Sequence, residues 1–242
     1  MTRRQHMIGL RQIPAATMLL ASLWLTGCAT QTNLAGSSGN EAAEAYTRLG
    51  VAYLERNNLQ RAMNALDRAL EIEPHDAEAL QAMAMVYQRQ GETKLAGETF
   101  RRAVEADSSF TRARNNYAAF LYDRGRLAEA CEQLEQASRD TQYDNRGQLF
   151  ANLGQCRLEM GDIEAARESL ARAQAIAPRR SRSYLLLAEL EYTQGNLERA
   201  EQQLETYMRL AGPRAEALRL ARDIARDRGD PATASFYADQ LE

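Results

Sequence analysis

The stretch AEAYTRLGVAYLERNNLQRAMNALDRALEIEPHD, residues 43–76, decides the fold. It holds two apolar patterns of helical period, split at Asn57-Asn58 and closed by Pro74. Tyr46, Leu49, Gly50 and Tyr53 mark the first half; Ala62, Leu66 and Ala69 mark the second. The spacing returns every 34 residues, from 77 and 111, and then in a second register from 147, 181 and 215. Counted from each window's start, position 20 is alanine throughout: Ala62, Ala96, Ala130, Ala166, Ala200 and Ala234. Position 8, where two helices must touch, is Gly50, Ala84, Ala118, Gly154 and Ala188, and fails only at Arg222. Position 15, the turn, is Asn57 and then Gly91, Gly125, Gly161, Gly195 and Gly229, residue types that accept a left-handed backbone. Position 24 supplies a large knob: Leu66, Phe100, Leu134, Leu170 and Leu204. Such units bury their apolar faces only against their neighbours, which makes the chain a stacked array.

The pattern resembles the tetratricopeptide repeat, and the resemblance covers residues 43–242. It implies an all-α, right-handed superhelix of about six helix-turn-helix repeats, near 43–76, 77–110, 111–146, 147–180, 181–214 and 215–242. Composition agrees: 45% of residues are apolar but only 7% aromatic, a mix suited to close helix packing. The two registers differ by two residues, and the surplus lies in ASRDTQYDNRGQ, residues 137–148. A longer loop is therefore expected between the third and fourth repeats, either a tolerated insertion or a kink that presents Tyr143 to a partner. The sixth window carries Arg222 and Ala238 at anchor positions, as a terminal capping repeat does.

Ahead of the repeats lies a different kind of segment. Arg3, Arg4 and Arg11 precede IPAATMLLASLWL, residues 13–25, which is too short for the roughly 20 apolar residues of a membrane span. It reads as the apolar region of a secretion signal. The residues Leu25-Thr26-Gly27-Cys28 resemble a bacterial lipobox. That resemblance implies cleavage after residue 27 and acylation of Cys28, with stable anchoring by several acyl chains. Ala29, rather than Asp, implies transfer to the outer membrane, on its periplasmic face. Residues 28–42, polar and rich in Gly and Ser, read as a flexible tether.

The sequence argues against chemistry. There is no phosphate-binding loop, no nucleophile elbow and no metal-ligand spacing. Of two histidines, His6 lies in the leader and His75 follows Pro74 in an inter-repeat turn. The reading is a protein that is not an enzyme, with no cofactor, no metal and no small-molecule substrate. The formal charge is −3, and the leader removes three of 30 cationic residues and none of 33 acids. That balance offers nothing to nucleic acid. Cys131 and Cys156 fall on helices that should be neighbours, as a disulfide pair or as two buried thiols.

The segment RNNYAAFLYDRGRLAEA, residues 114–130, resembles a stretch of the type IV pilus biogenesis lipoproteins, the PilF/PilW family of pilotins. The match runs through Asn115, Asn116, Tyr117, Phe120, Leu121, Gly125, Arg126, Glu129 and Ala130, with Ala118 where the family usually has glycine. Residues 140–156 resemble the family's next stretch, two-residue surplus included. The resemblance implies an adaptor that binds the outer-membrane secretin of the pilus machinery and promotes its delivery and multimer assembly. In such repeats the first helix of each pair lines the inner groove, which places Val51, Leu54, Met85, Gln88, Asn115 and Tyr122 there as partner-binding candidates. A scaffold for outer-membrane barrel assembly or for peptidoglycan enzymes fits the same architecture.

Overall fold

A computed structural model describes residues 31–241. Among them are twelve helices and no strand, arranged as six antiparallel pairs. The pairs are α1 (Gln31–Glu55) with α2 (Leu59–Ile72), α3 (Ala77–Gln90) with α4 (Thr93–Ala106), and α5 (Thr111–Asp123) with α6 (Leu127–Ala137). Then follow α7 (Arg146–Glu159) with α8 (Ile163–Ile176), α9 (Arg182–Thr193) with α10 (Leu197–Ala211), and α11 (Ala215–Asp227) with α12 (Pro231–Asp239). Each pair packs on the next, which builds an all-α tetratricopeptide superhelix.

The anchors do what their spacing predicts. The position-20 alanines of the first five repeats have no exposed surface, and the position-24 knobs are buried beneath them. At position 15 the backbone turns left-handed, at Asn57 (φ 56°) as at Gly91 (φ 81°). Asn pays a steric cost there that Gly avoids. Asp76 caps α3, accepting from the backbone N–H groups of Glu78 and Ala79 at 2.9 and 3.1 Å. The Thr47 hydroxyl of the first repeat donates to the same carboxylate at 2.7 Å, which ties α1 to the second repeat.

The largest buried cluster runs from Leu80 to Ala173 and so crosses the change of register. At its centre Phe100, Tyr117 and Phe120 meet with ring centroids 5.5–6.5 Å apart. The surplus residues sit in the loop 138–145 between α6 and α7, longer than the 107–110 connection one repeat earlier. Tyr143 is half-buried and packs against the core, so the loop is anchored by its own aromatic residue instead of presenting it. Away from this loop, toward the start of α6 and the end of α7, the sulfurs of Cys131 and Cys156 are bonded, with Cα atoms 5.7 Å apart, joining the two helices.

One feature differs from the sequence reading. The stretch 28–42 was expected to be irregular, yet α1 is helical from Gln31. Once residues 43–55 are fixed against α2, extending the helix adds a hydrogen bond per residue without a new nucleation cost. The leader 1–27, Cys28 and residues 29–30 lie outside the described residues. At the other end, α12 has no fully buried residue, and Phe236 is 60% exposed. Among the described residues no helix is long and apolar enough to cross a membrane.

Candidate functional site

The inner face is built from the first helix of each pair. Successive helices there are linked by polar side chains as well as by apolar packing. Asn152 on α7 donates to Asn115 on α5 at 3.1 Å. Gln155 donates to the Tyr122 hydroxyl at 2.9 Å, and Tyr122 donates to Glu159 at 3.1 Å. Arg182 on α9 completes the chain by donating to the Gln155 side-chain oxygen. Farther along, Tyr192 donates to Asp227 on α11 at 2.8 Å. Burial, and then the Glu159 carboxylate, push the Tyr122 phenol up, so it stays a donor at neutral pH. Beside it a recess of about 250 Å³ opens between α5 and α7, lined by Ala119, Tyr122, Asn152 and Gln155.

The predicted groove residues separate into two groups. Val51, Met85, Gln88 and Tyr122 are half-buried on the inner side. Met85 is held by Gln81, whose amide donates to its sulfur at 3.0 Å, and Asn116 approaches the same sulfur at 3.7 Å. Leu54 does not belong to the groove. It is 4% exposed and lies in the core with Ala62, Leu66 and Val86, because α3 closes over it; the Arg89 guanidinium caps its carbonyl at 2.6 Å. Asn115 is also buried, at 9%, and its carbonyl oxygen is used by Asn152, so it holds helices together and offers a partner little surface.

A second surface was missed by the sequence reading. In the inner repeats, position 7 packs against the preceding pair: Met83 and Leu153 are each 2% exposed. In the first repeat no pair precedes it among the described residues. Its Leu49 is 43% exposed and Tyr46 is 39% exposed. Together with half-buried Tyr53 they face α2 across an open recess of about 620 Å³. Arg61 lies over the Tyr53 ring at 5.7 Å and Arg68 pairs with Glu71 at 2.7 Å, which gives the apolar floor a charged rim. Tyr46 and Leu49 thus stand open at positions that later repeats bury, as an interface requires. The available signal was positional: they are consensus core residues in the first repeat of the series.

No group of His, Cys, Asp and Glu that could hold a metal occurs among the described residues. His75 is exposed in the turn after Pro74. One buried ion pair is notable: Glu191, 3% exposed, accepts from Arg167 at 2.7 Å and from Asn196 at 2.7 Å. It joins α8 to α9 and faces no recess, which makes it a structural pair.

Comparison with known proteins agrees with this architecture. Family models described as Tetratricopeptide repeat match residues 43–76, 82–145 and 157–224. The type IV pilus assembly protein PilF of Pseudomonas aeruginosa is 36% identical over 234 residues, 95% of this chain and 93% of that protein. A solved structure of P. aeruginosa PilF superposes with a TM-score of 0.77 at 36% identity, covering 84% of this chain and 92% of that one. The crystal structure of PilW, described as a widely conserved type IV pilus biogenesis factor, gives 0.74 at 26% identity, covering 82% and 91%. Periodic anchors, pair-on-pair packing and this likeness over nearly the whole length converge: the chain belongs to the PilF/PilW family of tetratricopeptide-repeat type IV pilus biogenesis proteins.

Proposed function

We propose that this protein is an outer-membrane lipoprotein adaptor, a pilotin, that binds secretin subunits and promotes their localisation and multimer assembly for the type IV pilus. Acylated Cys28 holds it at the periplasmic face, and tethering raises the effective concentration of the bound subunit at the bilayer. The chain acts by binding, without catalysis. The observation that carries the reading is the open apolar face of Tyr46 and Leu49 beside half-buried Tyr53, the first two exposed where later repeats bury Leu80 and Phe150, Met83 and Leu153. An amphipathic segment laid against that face would cover it much as a preceding repeat would. The nearness of this surface to the anchored end suits a partner that inserts into the same membrane.

The test is Leu49→Glu in the chromosomal gene. Membrane level and helicity of the protein should be unchanged, while secretin multimers in the outer membrane and surface pili are lost. Porin assembly should stay normal, which separates this role from general barrel assembly. Normal multimers and pili in a strain lacking the gene would refute the reading outright.

A further inference from the structure

A third recess, about 370 Å³, opens where α7 and α9 begin. Gly147, Gln148 and Ala151 line one wall; Arg179, Arg180 and Arg182 line the other. It shares Gln148 and Arg182 with the recess beside Tyr122, so the two form one trough on the inner side. Its charge sets it apart. Residues 176–188 contain three arginines and no acid, in a chain whose acids outnumber its cations, 33 to 30.

Ten of the 26 arginines among the described residues pair with carboxylates of their own or adjoining helices. Among the described residues none of the three trough arginines has such a partner. Arg180 instead donates to the amide oxygens of Gln148 and Asn145, at 3.1 and 3.3 Å, and Arg182 donates to that of Gln155. Neutral amides satisfy only part of what a guanidinium offers. A carboxylate accepts two parallel N–H groups in a charge-assisted fork, roughly twice as strong as a neutral contact.

We propose that this trough docks an acidic, extended segment of a partner polypeptide. Its Asp and Glu side chains would take over the Arg180 and Arg182 forks, and its backbone would run toward Asn152 and Tyr122. The shape favours a chain over an anionic bilayer. The recess continues between helices, whereas a flat surface would meet only the rim, and the chain's net negative charge opposes such a surface. The inference goes beyond the adaptor reading and holds whichever protein supplies the segment. It adds a polar site to the apolar face of the first repeat.

The experiment measures fluorescence anisotropy of a labelled hexaglutamate peptide against the full mature chain in detergent. Hexaglutamine serves as the neutral control. Hexaglutamate should bind and hexaglutamine should not, with affinity falling steeply as salt is raised. Arg180→Glu with Arg182→Glu should weaken binding by roughly tenfold or more. Arg101→Glu with Arg102→Glu, a reversal of the same size on exposed α4, should change it less than about twofold. Circular dichroism must show both variants folded; should the first unfold, Arg180→Gln with Arg182→Gln replaces it. Equal binding of the two peptides, or equal loss in the α4 variant, overturns the proposal. So does flotation of the Cys28→Ser chain with phosphatidylglycerol vesicles that needs Arg180 and Arg182 while hexaglutamate fails to bind.

Discussion

Gly154→Ala probes one of the tightest helix contacts in the array. A Cβ placed on Gly154 would lie 2.6 Å from Leu170 Cγ, 2.7 Å from its Cδ2 and 3.3 Å from the Ala166 carbonyl oxygen. Carbon atoms in contact sit ~3.5–4.0 Å apart, so α7 and α8 would have to separate by about 1 Å or Leu170 would have to leave its rotamer. Leu170 has no exposed surface and nowhere to go. Overpacking of this kind costs about 1–3 kcal/mol. Alanine's better helix propensity returns about 1 kcal/mol. With Leu170 unable to move, the cost lies in the upper part of that range, about 2–3 kcal/mol, so the net loss is about 1–2 kcal/mol, or roughly 2–8 °C in melting temperature for a chain of this size. Urea unfolding of the variant, followed by circular dichroism, measures it. A cycle with Leu170→Ala supplies the second check, since the penalty of the added methyl should vanish once Leu170 is shortened. Position 8 is already alanine at Ala84, Ala118 and Ala188, so the methyl group is tolerable wherever the pair is spaced for it. If Gly154→Ala is as stable as the parent, or more so, the close-contact argument fails.

Other outcomes follow from the same structure. Arg167→Met should destabilise by on the order of 3 kcal/mol at pH 7, because it strands the buried Glu191 carboxylate. Burial pushes the Glu191 carboxyl up, but hydrogen bonds from Arg167 and Asn196 outweigh it and hold it below the usual carboxylate range. In the parent, that contribution is present above the unfolded value and is lost as pH falls through the folded one. In the variant burial outweighs what remains and holds Glu191 above the usual carboxylate range, so the penalty should shrink as pH falls through that range and Glu191 takes a proton; a penalty independent of pH in urea titrations would contradict the assignment. Non-reducing peptide mapping should recover Cys131 linked to Cys156, and reduction should cost about 3 kcal/mol for a bridge spanning 25 residues; free thiols at both positions exclude the bridge. Cys28→Ser should leave the repeats folded but unlipidated and absent from the outer membrane, and normal secretin assembly by that variant would remove the need for an anchor.

The periodic part of the molecule was readable because packing in a repeat array is local. Ala62 and Leu66 meet Gly50 within a single window, so spacing alone locates the contact. The surplus loop was readable for the same reason, as a break in an otherwise fixed count. What spacing could not supply was each residue's place in the stack. Leu49 and Leu153 look alike in sequence, yet one is open and the other buried, because only one has a repeat in front of it among the described residues. Leu54 looked like a groove residue until α3 closed over it. The pairing of Arg167 with Glu191 crosses a repeat boundary and that of Arg180 with Gln148 joins the two ends of one repeat; they lie 24 and 32 residues apart, where no consensus position announces a partner.

The change of register between the third and fourth repeats has a mechanical consequence. The largest buried cluster and the Cys131–Cys156 bond both straddle that step. At the far end α12 buries no residue fully. In a linear array, resistance to opening falls where fewer neighbours share the load. Tension applied between the two ends would therefore be taken up by the outer turns, while the middle turns keep their pitch. The molecule behaves as a coil with a stiff waist and yielding tips: its end-to-end distance adjusts to what is held there, and its central curvature does not.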